Sequence, residues 1–173
     1  MGITEYSFER GGEIITGRPF QHQGVLDLSG GSEELDLRAY TMTFPFLPPS
    51  KNQYDTMQWQ FQHSIKSKWK RAILKECRAQ MIPRAHRIGL AALLVFPTRA
   101  RRDIQNYAGP LWNFVPDGLQ EAGVIDGDHA GKIDFGPQLG IKFAYDDRRA
   151  PADKLKRTKV IVTMDVRDIV RDR

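Results

Sequence analysis

The chain has 173 residues, a length that suits one domain with an ordinary core. Hydrophobic residues make up 40% and aromatic residues 10%, a globular composition that excludes a disordered or collagen-like chain. The net charge of +5 is compatible with a nucleic-acid partner, and the single cysteine, Cys77, excludes an intrachain disulfide.

No apolar run reaches the length of a membrane span, and the N-terminus lacks an apolar signal core. The expectation is a soluble, cytoplasmic protein. Residues 1–38 read as an N-terminal extension to a domain spanning 39–173. Glycines punctuate two short apolar runs in it, Glu13–Thr16 and Val25–Leu28, which could pair as a hairpin or lie along the main domain.

Tyr40–Phe46 alternates apolar and polar residues, as a strand does. Leu47-Pro48-Pro49 breaks it, and Ser50 or Asn52 can cap the next helix. Lys51 and Asn52 stand where a loop meets a helix N-terminus, a place suited to phosphate. Tyr54, Met57, Phe61, Ile65, Trp69, Ile73 and Cys77 recur every three or four positions and predict a helix over 53–81. Lysines and arginines populate its other sides; Trp59 falls off the stripe and is expected at the surface or an interface. Cys77 reads as a half-buried, unreactive thiol.

Arg87–Pro97 is a nearly continuous apolar run, suited to a central strand. Tyr107, Leu111, Val115, Leu119 and Ala122 keep helical spacing, Pro110 can open that helix, and Pro116 predicts a kink or break. Gly123 is a natural C-terminal cap. Lys132–Tyr145 reads as a bent strand or two pieces, and Lys159–Val166 as the last strand. The fold class expected is α+β: a mixed sheet of about four strands packed with two main helices, in the order β-α-β-α-β-β.

The chemistry is concentrated in Pro97–His129. Arg99, Arg101 and Arg102 precede Asp103, and a second acidic patch, Asp126 and Asp128, comes after the helix. Acids brought together from a strand end and the start of the next strand bind a divalent cation, and guanidiniums beside them suit a polyanion. An Asp ahead of a helix also serves as a cap, and an Asp in a turn serves the turn.

Three stretches in order, Pro48-Pro49-Ser50-Lys51-Asn52, Arg101-Arg102-Asp103-Ile104-Gln105-Asn106 and Asp117–Asp128, resemble the motifs of RusA-type Holliday junction resolvases. The resemblance covers the chain from about Tyr40 to Val166. It implies a homodimeric endodeoxyribonuclease, dependent on Mg²⁺ or Mn²⁺, that hydrolyses phosphodiesters in four-way or branched DNA. It places Asp103 and Asp128 as metal ligands and Asp117 as a helix acid near the site. Gln105 stands where the family has its second acid and offers a neutral amide oxygen. The DNA-contacting set expected is Lys51, Asn52, Arg99, Arg101, Arg102, Asn106 and Lys132.

The chain departs from the family twice. Gln105 removes a charge from the ligand set, and no lysine occurs between Tyr107 and Pro116, where the family carries its catalytic one. These departures motivate the alternative of a weakened or inactive relative that binds branched or duplex DNA without cutting it.

Overall fold

A computed structural model of the protein describes residues 6–10, 13–17, 38–129, 131–135, 140–146 and 158–169. The chain divides into two compact units, Met1–Glu34 and Leu35–Arg173. In the first, β1 (Tyr6–Arg10) and β2 (Glu13–Gly17) pair antiparallel, with Phe8 opposite Ile15. The run at Glu13–Thr16 therefore pairs with residues before it; Val25–Leu28, its expected partner, lies outside the described residues.

The second unit is α+β, with three helices and one five-stranded mixed sheet among the described residues. Its centre is β4 (Ala85–Phe96), as the apolar run predicted. On one edge β4 pairs antiparallel with β7 (Lys159–Ile169), which pairs antiparallel with β3 (Arg38–Phe44). On its other edge β4 pairs parallel with two short strands in succession. These are β5 (Ile133–Phe135), opposite Ile88–Leu90, and β6 (Ile141–Tyr145), opposite Ala92–Phe96. Lys132–Tyr145 is thus two pieces, which brings the sheet to five strands.

Alternation sorts the side chains. Ile88, Leu90, Ala92, Leu94 and Phe96 share a buried face with Val160, Val162, Met164 and Val166, and the helices cover it. The opposite face carries Arg87, Gly89, Ala91, Leu93 and Val95.

The single helix expected over 53–81 is two: α1 (Lys51–Thr56) and α2 (Trp59–Ala79). Met57 and Gln58 are extended and break it, and the Gln62 side-chain amide donates to the carbonyls of Tyr54 and Met57 exposed there. Packing of α2 on the core is carried by Trp69, Ile73 and Cys77. Phe61, placed on the apolar face by its spacing, is 60% exposed, and Trp59 is 72% exposed. Both precede the stretch of α2 that reaches the sheet.

The third helix, α3 (Gln105–Glu121), starts five residues before Pro110 and runs unbroken through Pro116. A proline inside a helix forfeits one backbone hydrogen bond and costs about 3 kcal/mol in isolation. Here both prolines are buried, together with Leu111, Phe114, Val115 and Leu119. Each fully buried large apolar side chain contributes roughly 1.5–3 kcal/mol, so packing outweighs the lost bonds. Trp69 stacks on Phe114 at 6.0 Å between centroids, and Gly118 faces Ile73. Among the described residues no helix is long and apolar enough to cross a membrane.

The α2–α3 contact generates a test. A Cβ built at Gly118 would lie 2.9 Å from the Cβ of Ile73, an atom that moves only with the backbone. Alanine gains about 1 kcal/mol of helix propensity, but overpacking costs about 1–3 kcal/mol. Gly118→Ala should lower the thermal midpoint, and adding Ile73→Ala, which removes the outer carbons but keeps the Cβ at 2.9 Å, should recover only part of the loss caused by the alanine at 118. A higher midpoint for Gly118→Ala than for wild type would refute the close approach.

A second test concerns Cys77. Burial, assisted by the Glu76 charge, pushes its thiol up to about 11. At pH 8 the thiolate is then about one part in a thousand. Iodoacetamide should label the native protein at least about 100-fold more slowly than the denatured chain, and comparable rates would contradict this burial.

Candidate nucleic-acid interface

The carboxyl end of β4 is organised by Arg102. Its guanidinium lies over the Phe96 ring at 4.0 Å and near Tyr145 at 5.8 Å. One of its terminal nitrogens donates to the carbonyls of Thr98 and Ala100, both at 3.0 Å. Arg102 therefore staples the loop that links β4 to α3, and its donors face that loop. Arg101 and Arg99 of the same loop are exposed.

Asp103 is exposed, and its Oδ1 accepts from the Gln105 backbone N–H at 2.9 Å. The Asp103 carbonyl accepts from the Asn106 N–H at 3.2 Å. Asp103 thus satisfies an orphan donor in the first turn of α3, the role of a capping carboxylate. Gln105 is exposed and Asn106 half-buried in that turn.

Lys51 and Asn52 stand at the start of α1 and are exposed. Ser50 caps that helix reciprocally. Its Oγ accepts from the Gln53 N–H at 3.3 Å, and its own N–H donates to Gln53 Oε1 at 3.1 Å. Pro48, Pro49 and Gln53 line a cavity together with Tyr107 of α3, so the entry to α1 sits beside the first turns of α3. Lys51, Asn52, Arg99, Arg101, Arg102, Asp103, Gln105 and Asn106 accordingly collect at one end of the domain.

Asp128 lies at the other end. The Ala85 N–H donates to the Val124 carbonyl and the Ile88 N–H to the Lys132 carbonyl, each at 2.8 Å. Val124 and Lys132, which flank Asp128, therefore stand at the amino end of β4, whereas Asp103 stands beyond its carboxyl end. The seventeen residues of α3 separate the two acids, and a helix of that length spans about 25 Å. A divalent cation reaches its oxygens at about 2.0–2.6 Å, so one copy of the chain does not bring Asp103 and Asp128 to one ion.

Asp117 is also committed elsewhere. Its carboxylate pairs with Lys66 Nζ at 2.6 Å, a hydrogen bond that holds the Lys66 ammonium above its usual range. Lys132 Nζ pairs with Asp126 at 2.9 Å, with Arg84 at 4.0 Å, and this bond holds the Asp126 carboxyl below the usual carboxylate range. Lys132 thus lies with Asp126 and Asp128, away from the arginine loop.

One acid at the arginine end went unnoticed in the sequence, where it opens a charged loop. The Asp146 N–H donates to the Phe96 carbonyl at 2.8 Å, which sets Asp146 beside the last residue of β4. Only the parallel pairing of β6 with β4 puts it there. The available signal was an acid immediately after a predicted strand. Among the described residues no three His, Cys, Asp or Glu side chains form a group able to hold a metal.

No family model matches the chain, and no curated protein matches it.

The capping role of Asp103 can be separated from any ligand role by stability alone. Asp103→Ala should cost about 1 kcal/mol, whereas Asp103→Asn, which keeps the oxygen acceptor, should cost a few tenths. Chemical denaturation in the presence of a chelator measures both. Equal losses for the two substitutions would show that Asp103 does not stabilise α3 as a cap.

Proposed function

We propose that the chain is a RusA-like domain that binds branched or duplex DNA through the carboxyl end of its central strand. The observation that carries this reading is the division of the motif residues by α3. Lys51, Arg99 and Arg101 collect with a single motif acid, Asp103, at one end, and Asp128 stands at the other, beyond a helix about 25 Å long. A phosphate backbone is attracted by the cations, and helix N-termini favour the same charge. A two-fold dimer would offer two such ends to opposed arms of a junction.

A second reading, metal-dependent cutting of the same DNA, is favoured by one observation. Asp103 and Asp146 both stand at the carboxyl ends of parallel strands, the side on which open sheets bind ligands. Mg²⁺ held there by these carboxylates, with the Gln105 amide oxygen, would supply charge neutralisation to a scissile phosphate.

The test is binding of a labelled four-way junction and a matched duplex by fluorescence anisotropy, in a chelator, across a salt series. Affinity should fall steeply with salt. The double charge reversal Lys51→Glu with Arg101→Glu should weaken binding by about tenfold or more, since each phosphate contact adds to the salt-dependent affinity. Lys132→Gln, at the far end, should stay within about twofold. Equal losses at both ends would remove the interface from the carboxyl end. The same junction incubated with Mg²⁺ or Mn²⁺ decides the second reading: cut product that disappears in Asp103→Asn would establish it, and its absence in wild type would dismiss it.

A further inference from the structure

The carboxyl end of the sheet also holds a cavity of about 370 Å³, in the range of cavities that enclose small ligands. Its walls are rings: Phe46 at the end of the first long strand, Trp69 of α2 and Tyr107 of α3. Trp69 is 1% exposed and forms the floor, held by Phe44, Phe46 and Phe114 around it. Phe46 and Tyr107 are half-buried, so each keeps part of its surface toward the opening. Pro48 and Pro49 close one side with fixed backbone and no backbone N–H.

Two polar groups reach this apolar slot. The Lys68 ammonium lies 4.1 Å from the Phe46 ring centroid, at the exposed lip. Gln53 lines the cavity, and its amide oxygen is occupied by the Ser50 N–H at 3.1 Å. The nitrogen of the same amide carries two donors. An aliphatic peptide side chain would use neither group. A planar heteroaromatic ring joined to a phosphate uses both, with its faces on the rings, its edge acceptors on the amide and its phosphate on the ammonium.

We propose that this cavity receives one unpaired nucleobase from the bound DNA. The proposal rests on the DNA-binding role proposed above and names the feature of the DNA that the domain recognises: a base outside the duplex stack, as at a branch point. Unpaired bases stack on aromatic side chains irrespective of sequence, each stack contributing on the order of tenfold in affinity. Lys51 and Arg101, at the same end, would hold the flanking backbone.

The experiment uses the full chain and three labelled duplexes at low salt. The first is fully paired, the second carries one extrahelical 2-aminopurine nucleotide, and the third carries an abasic nucleotide at the same position. Wild type should bind the 2-aminopurine bulge about tenfold more tightly than the abasic bulge or the paired duplex, with quenching of the 2-aminopurine emission by the rings around it. Ile65→Trp, which fills the slot from α2, should abolish both the preference and the quenching while binding the paired duplex as wild type does. Lys68→Gln, at an exposed position that does not threaten folding, should reduce the preference about threefold, as expected for one lost phosphate contact.

Equal affinity of wild type for the base and abasic bulges would overturn the pocket and leave the DNA-binding role standing. A preference that survives unchanged in Ile65→Trp, with that variant binding the paired duplex normally, would place the base elsewhere and equally overturn it. Failure to bind any of the three duplexes would dismiss the DNA reading and the pocket together.

Discussion

The parallel pairing of β4 with β5 and β6 is the constraint on which the rest depends. Parallel neighbours need a crossover, and α3 is that crossover. It leaves the carboxyl end of β4 through the Arg102-stapled loop and returns the chain to the amino end, where Val124 bonds Ala85. Every motif residue before the helix is therefore fixed at one end of the domain, and every one after it at the other. The two buried prolines show how strongly packing governs this helix: its intrinsic propensity is poor, and its buried face offsets that.

The helices also redistribute charge. Seen along the sequence, α2 carries a basic exterior. In the fold, Lys66 and Lys70 pair with Asp117 and Glu121 of α3, so two of those lysines join helices rather than face a partner. The matching offsets of these pairs show that α2 and α3 run parallel. Lys68, two positions from Lys66, points instead to the Phe46 ring at the carboxyl end. Arg102 is spent on its own loop, and Lys132 on Asp126. Among the described residues, Lys66, Lys70, Arg102 and Lys132 are therefore engaged within the fold, while Lys51, Lys68 and Arg101 stand exposed at the carboxyl end.

Much of the fold was legible residue by residue. The apolar run of β4, the β-branched last strand and the Ser50 cap all describe local energetics that tertiary contacts reinforced. The misreadings share one cause. Phe61 keeps helical spacing but precedes the part of α2 that meets the sheet, so the pattern promised a burial that no neighbour supplied. Pro116 promised a kink or a break, and the break is absent: α3 continues through it with Phe114, Val115 and Leu119 buried. The break that does occur, at Met57 and Gln58, carries no proline or glycine and is closed by the amide of Gln62 one turn into α2.

The sequence alone determined the α+β class, the central strand, the acidic and basic motifs around α3 and the capping chemistry of Ser50, because these arise from periodicity and from bonds between neighbours a few residues apart. Tertiary structure alone decided which charges share an end, that Asp146 stands beside the last residue of β4, and that Pro48, Tyr107 and Trp69 enclose one cavity. Spacing along a chain carries no information about strand polarity across a sheet. That polarity converts twenty-five positions of sequence between Asp103 and Asp128 into the length of a helix.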